Sequence, residues 1–369
     1  MGDVFAARAR RFDNSLQQAL FDDHMPERVY RTLVAQAQAG LPTFHRYLRL
    51  RKQLLGIQDD LAYYDNYAPL FKLVEPPRYT LAQSQAITLA ALAPLGAEYT
   101  ALLEQGFAAN WTDPVPRNGK ATGAYVDGRA YDVHPYVLLN HNDDYLSLTT
   151  VAHEWGHAVH TLLANANQPY DKAAYSTFIA ESASTANELL LGDHLERNAV
   201  SREQALYFLG EQLELIRANF FRQVMFAEFQ LAIHELREQG QALSGESLTE
   251  RYCSLLKRYH GEAQGVMKID PLYCTEWAYI GHFYYGYYVW QYATSIAGAA
   301  QFAEAIEEGG TGAARDRFVG MLKAGASDFP YAIYRRAGVD LGDAAPYQAL
   351  FRRMERIMDK IEAIVRDPR

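Results

Sequence analysis

Apolar positions recur with helical period along most of the chain. Residues 27–74 repeat them every three to four positions with short breaks, Pro42 opening one segment and Gly56 closing it. The pattern continues through 79–108, where Thr80 stands as an N-cap ahead of Ala- and Leu-rich turns. It lapses between 110 and 145, a stretch rich in Pro, Gly and Asp, all of which break helices. Inside that stretch Ala130–Asn140 reads as a strand around Val137-Leu138-Leu139, and Ala124–Val126 as a shorter one. Helix then returns at 145–164, 174–198, 201–239, 246–259 and 276–296, with more to the end. The pattern predicts a mainly α chain with one small β-sheet next to a long helix. One continuous region is expected, divided into a helical subdomain at 1–109 and a β element with further helices at 110–369.

The chain has 369 residues, 49% hydrophobic and 21% charged, which is ample for a sizeable core. Its formal net charge of −9 argues against a nucleic-acid partner. No run approaches the roughly 18 apolar residues that span a bilayer, and the N-terminal stretch lacks the apolar segment of a secretory signal. A cytoplasmic protein with no membrane partner is therefore expected. Cys253 and Cys274 are too few for a disulfide framework or a thiolate metal cluster.

The long helix after the β element contains His153-Glu154-Trp155-Gly156-His157. At about 100° per residue the two histidines fall about 40° apart, so both imidazoles can reach one ion. Glu154 sits beside them, suited to take a proton from water. Imidazole donors and an open position suit zinc. Chance would supply this motif in roughly 0.02 chains of such composition. His160, one turn on, reads as a packed or hydrogen-bonded neighbour. His234-Glu235-Leu236-Arg237-Glu238 has no second histidine and reads as a solvated face. A third ligand is needed, and Glu181 and Glu188 stand out on the small-residue helix that follows. A carboxylate on such a face is costly unless paired or metal-bound. One can ligate while the other accepts an imidazole N–H, and spacing alone does not say which.

His153–His160 (HEWGHAVH), Asn167-Gln168-Pro169-Tyr170 and Ala180–Glu188 (AESASTANE) together resemble oligoendopeptidase F of the thimet-type zinc oligopeptidases. Gly123-Ala124-Tyr125, Pro135–Asn140 (PYVLLN) and His282–Ala293 (HFYYGYYVWQYA) add to the likeness, which covers nearly the whole chain. The resemblance implies a helical zincin-type metallopeptidase fold. It also implies one Zn2+ per chain on His153, His157 and Glu181, with Glu154 as general base and Glu188 as the partner behind a ligand. Members of that family usually carry a long further N-terminal region that walls a channel for short peptides. This chain begins where the catalytic portion would start, as a natural short form, a fragment, or a protein that completes its channel as a homo-oligomer.

Part of the excess of 26 tyrosines lies in Tyr279–Tyr292. On a helix, His282, Tyr285, Tyr288 and Tyr292 would share an arc of about 120°. Most such tyrosines fill cores. The family's corresponding helix supplies donors to a developing oxyanion, a role the resemblance extends to His282, Tyr288 and Tyr285. The strand Tyr136–Asn140, with Tyr136, Val137 and Leu138 as its substrate-binding residues, is expected to offer a sheet edge to an extended peptide, and the turn at Gly123 to close over it. The whole implies a zinc oligopeptidase that hydrolyses internal bonds of short peptides. A related zinc carboxypeptidase and an inactive zinc-containing peptide-binding protein are the alternatives.

Overall fold

Where the apolar period is helical, the chain is for the most part helical. The computed structural model describes residues 2–308 and 312–367. Its contacts divide the chain into two units, one of Met1–Phe71, Leu213–Thr294 and Leu341–Arg369, the other of Lys72–Gln212 and Ser295–Asp340. This differs from a division at 109/110. Tyr79 and Ala91 pack into one buried cluster with Leu148, Ala152, Leu191 and Leu195, so the helices before the β element join the motif helix.

In the second unit, α1 (Leu81–Ala91) starts at Thr80 as expected. Thr80 Oγ1 accepts from Gln83 N while Gln83 Oε1 accepts from Thr80 N, a reciprocal cap. Helix α2 (Ala97–Ala108) follows, then strands β1 (Thr112–Asp113), β2 (Tyr125–Asp127) and β3 (Tyr136–Leu138). Next come α3 (Tyr145–Asn167), which carries the motif, and α4 (Thr177–Arg197). The sheet order is β1-β3-β2, with β1 parallel and β2 antiparallel to β3. Trp155 of α3 is fully buried, 4.7 Å from the Phe107 ring.

The first unit is built on helices Glu27–Ala39, Leu41–Leu54, Arg222–Glu238, Gly245–Tyr259 and Ala345–Arg366. Residues 57–74, expected to be helical, hold only a 3-10 turn at Tyr63–Tyr67. Buried Glu276 is bonded by Arg222, Tyr63 and Tyr252. Cys253 and Cys274 form a disulfide of 2.07 Å. His234 does not lie on a solvated face: it is buried, its Nε2 2.9 Å from Asp3 Oδ2 and its ring against Tyr287. The helix expected over 276–296 is also corrected. Pro271–Tyr279 and Gly281–Tyr284 are 3-10 turns, and a regular helix begins only at Trp290. Two glycines weaken any helix there, and Tyr287 breaks it with φ +51°. Among the described residues no helix is long and apolar enough to cross a membrane.

Candidate metal centre

Two capped helices of the second unit carry the centre. Asp144 caps α3 by accepting from Ser147 N at 2.8 Å, and Ser176 caps α4 by accepting from Phe178 N at 3.2 Å. The helices touch at Gly156, where a Cβ would lie only 2.7 Å from Ser184 Cα. Asn187 of α4 donates to the Ala152 carbonyl of α3 at 2.9 Å and accepts from Tyr99 OH at 3.0 Å, fixing the register of the pair.

This crossing brings His153, His157 and Glu181 together, with one ligand atom from each lying within 4.8 Å of the others. Glu181 Oε2 is 3.5 Å from His153 Nε2 and 3.8 Å from His157 Nε2. Bonds of about 2.1 Å to a tetrahedral ion set donors about 3.4 Å apart, so the spacing and the N, N, O donor set fit zinc. Glu188 Oε2 lies 3.1 Å from His153 Nδ1 and accepts its N–H, leaving Nε2 to face Glu181. Ser184 Oγ donates to Glu181 Oε2 at 3.2 Å, a contact with no advance signal in the sequence.

The electrostatics follow from burial and from the crowd of carboxylates. Burial opposes charge on His153, but Glu188 and then Glu181 outweigh it and lift the ring to about 9. A divalent cation would displace that proton. Burial, with the His153 charge adding to it, holds His157 well below its ordinary value, so that ring is a neutral donor. Glu154 is raised to about 7, chiefly by burial, with His153 opposing and Glu181 and Glu188 adding. A carboxyl so tuned can take and return a proton near neutrality. His160 is no ligand of this centre. It is fully buried, its ring stacks on Tyr175 at 3.6 Å, and burial pushes it down to about 3.

A cavity of about 450 Å³ opens beside the triad, running from Gly123, Ala124 and Asn140 to His153, Glu154 and Glu188. Gly123 lies on its wall in an exposed turn with φ +80°. Tyr136, Val137 and Leu138 do not line it. The expectation that they form a sheet edge is overturned, because β3 is the central strand and is paired on both sides. Val137 points into the core at 2% exposure. Tyr136 and Leu138 face the other side, in a depression shared with Trp111 and His134. Both outer strands, β1 and β2, have an unpaired side in this sheet; of the two, β2 directly follows Gly123 and Ala124 on the cavity wall.

His282, Tyr285 and Tyr288 belong to the first unit. Without the expected helix they still gather, the His282 and Tyr288 rings 5.8 Å apart and Tyr285 and Tyr288 6.1 Å apart. Tyr292 OH donates to Tyr288 OH at 3.2 Å, leaving the Tyr288 hydrogen directed elsewhere.

Residues 3–353 match Peptidase family M3. The chain is 40% identical over 363 residues to Oligopeptidase PepF of Bacillus subtilis (strain 168), covering 98% of this chain and 53% of that protein. A crystal structure from Chlamydophila abortus superposes with a TM-score of 0.90 at 36% identity, covering 98% of this chain and 60% of the other. The crystal structure of oligoendopeptidase-F from Enterococcus faecium gives 0.75 at 30% identity, covering 99% and 58%. The chain thus spans 53–60% of the length of these three proteins.

Proposed function

Because the chain belongs to peptidase family M3, we propose that it is a zinc-dependent oligopeptidase acting on internal bonds of short peptides. The observation that carries the proposal is the convergence of two imidazoles and one carboxylate within 4.8 Å, with the buried Glu154 carboxyl beside them. His153, His157 and Glu181 would hold the ion, which when bound acidifies water and polarises a carbonyl. Glu188 keeps the His153 ring in the tautomer that presents Nε2. Glu154 takes the proton of the attacking water and passes it to the departing amine. An extended peptide would add to the outer side of β2, its main chain pairing with Tyr125–Asp127 whatever its side chains. Tyr288 and His282, with Tyr285 beside them, are proposed as donors to the oxyanion on the ground of family likeness.

The experiment is digestion of a fluorogenic peptide blocked at both ends, with and without a chelator. Cleavage at an internal bond, abolished by the chelator and restored by zinc, is expected. An obligate carboxypeptidase would leave this peptide intact. Glu154→Gln should keep one zinc per chain and lose nearly all turnover. Normal turnover in that variant would reject the assignment of the base.

A further inference from the structure

We propose that Asn140 is a positioning residue for peptide substrates: its side-chain amide clasps the turn before β2 and so sets the strand edge and cavity wall beside the metal centre. Asn140 is the last residue of the PYVLLN stretch. The backbone on either side of it is tied toward β1, Leu139 N donating to Asp113 O at 2.9 Å and His141 N to Pro114 O at 2.8 Å. Its side chain reaches the opposite way. Nδ2 donates one hydrogen to Ala121 O at 2.9 Å and the other to Gly123 O at 2.8 Å. Both partners are carbonyls, so only the nitrogen can face them, and the amide orientation is fixed by chemistry.

The turn needs such a clasp. Residues 121–123 are exposed, and nothing lies within 4 Å of where a Gly123 Cβ would be, so the tip stands clear of the core. Lys120 Nζ secures the far end through Asp113 O and Val115 O, both at 2.9 Å. Asn140 secures the end that meets the cavity, whose wall includes Gly123, Ala124 and Asn140 together with His153 and Glu154. Two bonds from one rigid amide therefore define where Ala124 and Tyr125 present their backbone. Substrate affinity should depend on Asn140, while the metal and the proton-transfer groups should not.

The substrate arm of this proposal rests on the peptidase reading above, so the test includes a measurement that does not. Asn140→Asp keeps the shape, removes both amide hydrogens and turns a carboxylate toward two carbonyls. Asn140→Ala removes the donors without adding charge. In both variants metal content and kcat should stay within twofold of the parent. KM for the blocked peptide should rise about tenfold, as expected when two modest hydrogen bonds no longer order the binding edge. Amide exchange across 122–127 should quicken in the same variants. Unchanged KM, a fall in kcat at constant KM, loss of metal, or unchanged exchange would each overturn the proposal. If the parent protein cleaves no peptide, the peptidase reading fails. The exchange measurement then still decides whether the clasp exists.

Discussion

Helix propensity alone makes Gly156→Ala a stabilising change, worth about 1 kcal/mol in a helix interior. The structure reverses the sign. A Cβ at 156 would stand 2.7 Å from Ser184 Cα, 2.9 Å from Ser184 N and 3.0 Å from Ala183 O, all of them backbone atoms that no rotamer change can move. Carbon atoms rest about 3.5–4.0 Å apart, so α3 and α4 must separate by about 1 Å. Overpacking of this kind costs about 1–3 kcal/mol, which offsets or exceeds the propensity gain. The larger effect falls on the candidate metal centre. His153 and His157 flank Gly156 on one helix, Glu181 precedes Ser184 by one turn on the other, and metal–ligand distances tolerate only about 0.2 Å. Zinc affinity should fall at least about tenfold, by analogy with the loss of a supporting contact. Competition with a chromophoric chelator reads the affinity, and urea unfolding of the metal-free protein reads the stability. Gly320→Ala is the matched control. Gly320 is an exposed residue of the helix Ala313–Leu322 with nothing within 4 Å of its Cβ position, so alanine there should stabilise by about 0.5–1 kcal/mol. A Gly156→Ala protein that binds zinc like the parent and unfolds no earlier would refute the claim that this helix contact holds the ligands in register.

Two further outcomes are expected. Glu188→Gln removes the charge facing His153 Nδ1; zinc affinity should drop about 10–100-fold, and the metal-free ring should titrate below its present value of about 9. Unaltered affinity, measured by the same chelator competition, would dismiss Glu188 as a support for the ligand. Tyr288→Phe deletes one hydroxyl donor; kcat on the blocked peptide should fall about 100-fold with metal content unchanged. A kcat within threefold of the parent would remove Tyr288 from the chemistry.

The helices and the convergence of His153, His157 and Glu181 were legible because each leaves a local trace. The Thr80 cap, the four-residue spacing of His153 and His157, and two glutamates on a small-residue helix are visible without any long-range contact. Four features had no such trace. β3 reads as an edge because its second partner, β1, is two residues long with no alternation to announce it. The tyrosine-rich segment mimics a helical face because its aromatics fall at helical intervals, yet the backbone at Tyr287 takes a positive φ that only its surroundings select. His234 reads as exposed because its partner, Asp3, is 231 residues away. The clasp made by Asn140 leaves no trace either, since its two acceptors are backbone carbonyls whose nearness depends on how the intervening turn folds.

The way the chain weaves between its two units bears on how it is made. The unit containing Met1–Phe71 also requires Leu341–Arg369, whose helix buries Ile357, Met358 and Ile361. On the ribosome the helices of the Met1–Phe71 segment therefore wait for partners far downstream, and that unit can close only once Leu341–Arg369 has emerged. The unit that carries His153, His157 and Glu181 is interrupted in the same manner, since Ser295–Asp340 completes it, including the Tyr334 ring that packs on Phe178. Completion of that unit thus waits on its last segment, and His153, His157 and Glu181 take their final places only after the chain through Asp340 has been made.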